Sequence, residues 1–268
     1  MKRLMFQAVV SVALLMAAGL VRAGLPAVIA VCDDGAEWPP YTYFQRVNGA
    51  KTNVLIGFSV EYLQRVLARK GLRFTLELIP WQRCMAAVDE GQYAMLLNAS
   101  LNDERARRFL ITQPYYALTL VYFYDADHPK PVVNGAADLR ALAACGVSGY
   151  NYAPFALEPD MIDTAAKDLP QAFLKLKRGH CAVVPDRLEV ALGYQTLGLI
   201  DLQSAGIRYA PVPGLPRSPF FMMVSRNTPY AAELLAVLNE GIAAIEASHG
   251  AYDLAAKYGL PQAEPLKR

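Results

Sequence analysis

A repeated order of short apolar strands, polar loops and helices is the feature that most restricts the fold of this chain. Apolar strand patterns lie at residues 27–31, 74–79 and 93–97, and helical patterns lie between them at residues 57–71 and 82–88. Strands that alternate with helices form parallel sheets with right-handed crossovers. The first part of the chain therefore predicts an α/β unit with a parallel sheet.

The same order begins again in the second half of the chain. Further strand patterns lie at residues 144–147, 161–162 and 181–184, and extended apolar runs at 118–124 and 220–225 flank this second unit. We interpret these two runs as crossings between two lobes, and the helical tail at 230–258, broken at Gly250, as packing on the first lobe. The predicted organisation is lobe 1 at residues 24–118, lobe 2 at 119–218, and a return segment with C-terminal helices of lobe 1 at 219–268.

This organisation predicts where a ligand binds. Open parallel sheets bind ligands beyond the carboxyl ends of their strands. Two facing sheets therefore place the site in the cleft between the lobes.

The first 23 residues have the pattern of a cleaved signal peptide. Lys2 and Arg3 precede an apolar run from Leu4 to Leu20, and small residues lead to a cleavage site after Ala23. A transmembrane anchor is the alternative, but a serine and a glycine interrupt the run, which is short for a bilayer span of roughly 20 residues. Cys32 lies too far beyond the run for a lipid anchor. We expect an exported, soluble mature protein.

Charge and cysteine content narrow the function classes. The net charge of +2 includes Lys2, Arg3 and Arg22, so removal of a segment without acidic residues leaves −1. We therefore expect no nucleic-acid partner. Separately, we expect a monomer. The four cysteines have no C-x-x-C spacing and the three histidines are scattered, so two disulfides are expected rather than a metal site. No cofactor is expected.

A series of short motifs, in a fixed order, covers nearly the whole mature chain. They are Pro39-Pro40-Tyr41, Gly57-Phe58, Pro80-Trp81, Ser100–Arg105, Pro114-Tyr115, Gly146–Gly149, Leu238–Gly241 and Lys257–Gly259. This order resembles the family 3 periplasmic solute-binding proteins, the amino-acid-binding components of ABC importers, and W-Q-R-C at residues 81–84 resembles a less-studied branch of them. The resemblance implies a type II periplasmic binding protein fold with a two-strand hinge, an amino-acid-like ligand and an inner-membrane ABC permease as partner.

The resemblance also implies residue roles in lobe 1. Arg105 corresponds to the arginine that binds the ligand carboxylate, and Ser100 to a hydroxyl donor beside it, with Asn98 on the same loop. A planar guanidinium gives two parallel charge-assisted bonds to a carboxylate. The alternative is that Arg105 belongs to a solvated helix face with Arg107 and Arg108.

Aromatic residues on two lobe 1 loops correspond to side chains that sandwich the ligand. They are Trp38, Tyr41 and Trp81, whose faces suit an apolar or cationic group; packing in the lobe core is the alternative. Arg83 is either a second anion contact or a partner of Asp33 or Asp34.

In lobe 2, the segment Ser148–Asn151 resembles a strand-to-helix turn whose backbone amides complete the carboxylate shell. Tyr150 and Asn151 are the predicted contacts from this turn. Asp186 corresponds to an acid that binds the ligand ammonium, although it could instead form a surface ion pair with Arg187.

The same resemblance places the cysteines. With strand order 2-1-3 in each sheet, Cys145 and Cys181 lie on neighbouring strands of lobe 2, while Cys32 ends strand 1 near the helix that carries Cys84. One disulfide within each lobe is the expected pairing.

Two other functions remain open at this point. The first is a periplasmic enzyme of the cyclohexadienyl dehydratase type on the same scaffold; we expect no catalysis because the sequence contains no serine elbow, metal set or paired catalytic carboxylates. The second is a ligand-sensing subunit of a membrane receptor.

Overall fold

The computed structural model describes residues 24–261 of the 268-residue chain. The predicted signal peptide at residues 1–23 and the last residues of the predicted return segment, 262–268, lie outside this range.

The first half of the described chain contains seven strands and three α-helices. In chain order they are β1 (Val28–Asp34), β2 (Tyr43–Val47), β3 (Ala50–Ile56), α1 (Phe58–Ala68), β4 (Arg73–Ile79), α2 (Trp81–Asp89), β5 (Met95–Ser100), α3 (Asp103–Arg108), β6 (Phe109–Ile111) and β7 (Tyr116–Leu118).

The second half contains six strands and four α-helices. They are β8 (Leu120–Asp125), β9 (Ala144–Val147), β10 (Ile162–Ala166), α4 (Leu169–Lys177), β11 (Val184–Arg187), α5 (Leu188–Thr196), β12 (Ile207–Pro211), β13 (Ser218–Ser225), α6 (Ala231–Ala247) and α7 (Gly250–Lys257).

The first sheet has the order β4-β1-β5-β13-β6, and β7 also pairs with β13. Strand β1 is parallel to β4 and β5, which is the predicted 2-1-3 order. Strand β13 is antiparallel to β5, so the sheet is mixed rather than wholly parallel. The reason is that β13 reaches the sheet directly from β12 without a crossover helix, which removes the constraint to run parallel.

The second half of the chain forms two smaller sheets, with the orders β10-β9 and β11-β8-β12. Strand β9 is parallel to β10, and an isolated parallel bridge between Ala144 and Val183, just before β11, joins the two sheets in the 2-1-3 order. Strands β11 and β12 both pair antiparallel with β8. We call the part of the chain around the first sheet lobe 1 and the part around these two sheets lobe 2. The exact boundaries, at residues 118 and 218, stay a prediction.

The C-terminal helices pack on lobe 1. Leu234, Leu238 and Ile242 of α6 lie in the same buried cluster as Leu63 and Val66 of α1. Gly241 is required at this contact because a Cβ atom there would lie 2.5 Å from Cγ1 of Val66. Burial of this apolar helix face, at about 25 cal/mol per Å², holds the tail on lobe 1.

Both predicted disulfides are confirmed. Cys32 at the end of β1 is bonded to Cys84 of α2, and Cys145 of β9 is bonded to Cys181 of the segment before β11. Each bond therefore lies within one lobe.

Between residues 24 and 261 no helix is long and apolar enough to cross a membrane. The same range contains no cluster of three or more His, Cys, Asp or Glu side chains that could hold a metal ion.

Candidate ligand-binding site

A small cavity of about 30 Å³ lies between the two lobes. Lobe 1 contributes residues from the ends of β1 and β5, the loop after β1, the start of α2, helix α3 and strand β13; lobe 2 contributes the loop after β9 and the end of β11. The lining residues are Asp33, Asp34, Trp38, Trp81, Asn98, Ser100, Arg105, Tyr150, Asn151, Arg187 and Phe220. The cavity therefore lies beyond the carboxyl ends of parallel strands, as predicted.

Arg105 is a buried cation in this cavity. Its side chain is 4% exposed, and Asn102 caps the start of α3 by accepting the backbone N–H of Arg105 at 2.9 Å. The guanidinium donates to the carbonyl oxygen of Ser100 at 2.8 Å and to that of Gly149 in lobe 2 at 3.1 Å. Within residues 24–261 it forms no ion pair with a carboxylate. Because Arg105 is buried, the alternative in which it lies on a solvated helix face is excluded.

The environment of Arg105 disfavours its charge. Burial is the larger cause and the charge of Arg187 the second, and together they lower the pKa of Arg105 from 12.5 to about 10. A buried cation in this state gains from an anionic partner, because pairing offsets part of the desolvation penalty.

Ser100, Asn151 and Trp81 hold the two lobes together around Arg105. The Ser100 hydroxyl accepts from the Arg105 guanidinium at 3.3 Å and from the Asn151 amide of lobe 2 at 3.2 Å. The Trp81 indole donates to the carbonyl oxygen of Gly149 at 3.1 Å, and the Arg105 guanidinium lies 5.4 Å from the centre of its ring. These contacts fix the Arg105 guanidinium between the Trp81 ring and the carbonyl oxygen of Gly149.

Two neighbouring carboxyl groups, Asp33 and Asp34, form an acidic part of the cavity wall. Burial raises the pKa of Asp33 from 3.8 to about 7 and that of Asp34 to about 6. The hydroxyl of Tyr150 in lobe 2 donates to Asp34 at 2.8 Å, and the Asn98 side chain donates to Asp33. Burial disfavours the ionised form of both carboxyl groups. A positively charged or hydrogen-bond-donating group of a ligand would therefore stabilise their ionised forms.

Asn98 is the centre of a buried hydrogen-bond network beneath the cavity. Its side-chain oxygen accepts from the hydroxyls of Ser59, Tyr115 and Tyr116 at 2.6, 2.9 and 2.8 Å. Its φ of 55° is left-handed, which is uncommon for a residue other than glycine. The network stabilises this conformation and so fixes the end of β5, where Ser100 begins the site.

Aromatic side chains form the remaining wall. The Trp38 ring meets the Tyr150 ring edge to face, with centroids 5.3 Å apart, and lies 5.8 Å from the Phe220 ring. Trp38 and Phe220 are in lobe 1 and Tyr150 is in lobe 2. An apolar group of a ligand would be enclosed from both lobes.

Three predicted contacts do not line the cavity. Tyr41 lies in the lobe 1 core, stacked on Tyr116 with ring centroids 4.2 Å apart, so the packing alternative holds for this ring. Arg83 is exposed on α2, on a different face from Trp81. Asp186 is fully buried and is not among the lining residues; one oxygen accepts the backbone N–H of Arg187 at 2.7 Å, and the other has no hydrogen-bond partner among the described residues. Its pair with Arg187, at 3.7 Å, is buried and not on the surface as expected.

The turn after β9 differs from its prediction in the element that follows it. It leads only to a single 3-10 turn, Ala153–Phe155, and not to an α-helix. The backbone amides of Ser148 and Tyr150 donate to the carbonyl oxygens of Ala166 and Val147. The carbonyl oxygen of Gly149 accepts from Arg105, and a role of the turn's amides in carboxylate binding stays a prediction.

Four lining residues were not among the predicted contacts: Asp33, Asp34, Arg187 and Phe220. The two aspartates follow strand β1 directly, and polar residues in that position of a parallel strand are the signal that could have identified them. The sequence does not show that Arg187, rather than Asp186, lines the cavity. Successive residues of a strand face opposite sides, and the pattern of a four-residue strand does not show which side faces the cleft.

Contacts away from the cavity also join the lobes. The Tyr194 hydroxyl of α5 donates to the carbonyl oxygens of Ala36 and Glu37 at 2.8 and 2.9 Å. Gly193, on the same helix, lies so close to Pro39 that a Cβ atom would be 2.4 Å from the Pro39 carbonyl oxygen. The structure is thus a closed arrangement of the two lobes.

A polar cavity enclosed by two similar α/β lobes defines the class of two-lobed solute-binding proteins. Residues 29–261 match the model of the bacterial extracellular solute-binding proteins, family 3, and the chain belongs to this family. No curated protein sequence matches the chain.

Several solved structures share the fold. The arginine-, lysine-, histidine-binding protein ArtJ of Geobacillus stearothermophilus is 20% identical, with a TM-score of 0.70 over 88% of this chain and 96% of that one. A histidine kinase sensor domain is also 20% identical, with a TM-score of 0.70 over 86% and 95% of the two chains. An ancestral amino-acid-binding protein, a precursor of cyclohexadienyl dehydratase, is 14% identical, with a TM-score of 0.66 over 87% and 95%. At these identities the likeness shows the fold.

Proposed function

We propose that the protein captures an amino acid or a similar small carboxylate in the cleft between its lobes and holds it without chemical change. One observation carries this proposal: the Arg105 guanidinium lines the cavity, is 4% exposed and has no carboxylate partner among the described residues. A ligand carboxylate supplies that partner through two parallel charge-assisted bonds. The acidic wall at Asp33 and Asp34 suits the ammonium group of an amino acid.

Closure of the lobes is part of the proposal. Arg105 and Trp81 of lobe 1 share the carbonyl oxygen of Gly149 in lobe 2, so their contacts with lobe 2 exist only when the cleft is shut. A solute bound first on lobe 1 then shifts the population towards the closed form, because its remaining contacts are in lobe 2.

Calorimetry with the twenty amino acids and a set of small carboxylates tests the binding step. We expect at least one solute to bind, and we expect Arg105→Ala to weaken that binding by at least about hundredfold, because it removes a charge-assisted pair. Arg107→Ala, on the exposed part of the same helix, is the matched control and should leave the affinity unchanged. Equal binding by the Arg105→Ala protein would refute the assignment.

The sequence pattern and the family support a proposal for the cellular role. We propose export to the periplasm through residues 1–23 and delivery of the solute to an inner-membrane ABC permease. Loss of the protein should then abolish uptake of its solute into cells. Unchanged uptake, together with co-purification of a membrane receptor, would instead favour the sensing role. A histidine kinase sensor domain has a similar fold.

One feature favours a second candidate, acid–base catalysis. Burial holds the pKa of Asp33 at about 7 in the cavity, which is the range that suits a general acid or base. Mass spectrometry of the solute recovered from the protein distinguishes the two functions. An unaltered solute supports binding alone, whereas turnover of prephenate or arogenate would support the enzyme.

A further inference from the structure

Arg187 is a second buried guanidinium in the same cavity. It is 1% exposed, it ends strand β11 in lobe 2, and it lies over the rings of Phe155 and Phe220 at 5.4 and 5.9 Å. It donates to the carbonyl oxygen of Asn151 at 2.7 Å. Its Nε forms no hydrogen bond with any residue between 24 and 261.

The nearest carboxylate neutralises Arg187 only partly. Asp186 Oδ1 lies 3.7 Å from a terminal nitrogen of Arg187, beyond hydrogen-bond distance, and the same oxygen accepts the Arg187 backbone N–H. A buried guanidinium without a well-formed ion pair has a desolvation penalty that is not fully offset. Arg187 therefore lines the cavity with one unused donor and an incompletely paired charge.

The two guanidinium groups are connected but distinct. Asn151 accepts from Arg187 through its backbone carbonyl and donates through its side chain to Ser100, which in turn accepts from Arg105. A carboxylate that takes both bonds of one guanidinium fork has no further acceptor site along that edge. Arg187, on the opposite lobe, is then available for a second acidic group.

We propose that Arg187 is a specificity-determining ligand contact and that the solute is a small amino acid with two acidic groups. This rests on the proposed function. One acidic group pairs with Arg105 of lobe 1 and the other with Arg187 of lobe 2, while Asp33 and Asp34 hold the amino group. In this chain Arg187 thus takes the cavity position that Asp186 was expected to occupy.

L-glutamate and L-glutamine provide the test, because they are nearly isosteric and differ in the second negative charge. Calorimetry on the full mature protein should give a dissociation constant for L-glutamate at least about tenfold lower than that for L-glutamine, since an unpaired buried donor set penalises the neutral ligand. Arg187→Gln should bring the ratio close to one while L-glutamine binding persists. Arg208→Gln, on an exposed position of β12, should leave the ratio unchanged.

Arg187→Met is the second variant, since it keeps the stem that packs on Phe155 and Phe220 and removes only the charge; the same loss of preference is expected. The comparison of the two ligands on the wild-type protein needs no variant. If L-glutamine binds as tightly as L-glutamate, or if the preference survives both substitutions, the inference is overturned and the proposed function stands. If no amino acid or small carboxylate binds, both are overturned.

Discussion

The hydroxyl of Tyr150 in lobe 2 donates a hydrogen bond to the carboxyl group of Asp34 in lobe 1 over 2.8 Å. Tyr150→Phe removes this bond and leaves a buried carboxyl group with one donor fewer, which costs about 1–3 kcal/mol. Because the bond forms only between closed lobes, the cost falls on ligand binding. We expect the affinity, measured by calorimetry, to fall roughly tenfold to hundredfold.

Tyr209→Phe is the control for this substitution. Tyr209 is 44% exposed on β12 and has no side-chain hydrogen bond to any lobe 1 residue that the structure describes. It should bind the solute as the wild type does. An unchanged affinity in Tyr150→Phe would show that the contact does not contribute to closure.

The buried carboxyl group of Asp33 predicts a stability that falls as the pH rises. Burial raises its pKa in the folded protein from 3.8 to about 7, so between these values the folded state binds more protons than the unfolded state. Stability is therefore greatest at the acidic end of this window and is lost as the pH rises through it. Asp34, with a pKa of about 6, acts in the same direction.

Denaturant titrations at pH 5 and pH 8 measure this effect. Asp33→Asn removes the titration, and it should reduce the loss of unfolding free energy between the two pH values by about 2 kcal/mol. Asp160→Asn, at an exposed position, should have the wild-type pH dependence. A wild-type protein that becomes more stable from pH 5 to pH 8 would contradict the prediction for Asp33.

The two disulfides differ in their distance from the site. Cys32 precedes Asp33 directly, and Cys84 lies one helical turn after Trp81, so this bond joins two segments that line the cavity. Replacement of both cysteines by alanine should lower the unfolding free energy by about 4 kcal/mol, because the bond closes a long loop, and should also weaken ligand binding.

The Cys145–Cys181 bond is the matched comparison. It closes a loop of similar length at the opposite end of β9 from Tyr150 and Asn151. Its removal should cost about the same stability with a smaller effect on affinity. Thermal unfolding and calorimetry on the two double variants separate the effects, and equal losses of affinity would contradict a special role for the first bond.

Sequence patterns predict the scaffold better than the cavity wall. Parallel strands follow from β–α alternation, the family resemblance implies their 2-1-3 order, and that order brings the paired cysteines together. Whether Asp186 or Arg187 faces the cleft depends on the orientation of one short strand. The apolar pattern of the sequence does not predict that orientation. Tyr41 is a similar case. The sequence predicts its position on a cleft loop, but it does not predict the stacking on Tyr116 that places its ring in the core.

Gly193 of α5 provides a test of closure that does not alter the cavity. Any side chain at this position meets Pro39 of the opposite lobe, with a Cβ atom 2.4 Å from the Pro39 carbonyl oxygen. Gly193→Ala should therefore hold the lobes apart and reduce the affinity at least about tenfold. The unliganded protein should be as stable as the wild type or slightly more so, because alanine favours the helix by about 1 kcal/mol over glycine.

Calorimetry and thermal unfolding of Gly193→Ala together decide whether closure drives binding. Gly135→Ala is the control, because a Cβ atom at Gly135 meets no atom within 4 Å and should change neither property. Loss of affinity with preserved stability is the expected pair of results, since the clash exists only when α5 approaches the loop after β1. Wild-type affinity in Gly193→Ala would mean that the solute binds without this approach, and the hinged mechanism would then fail.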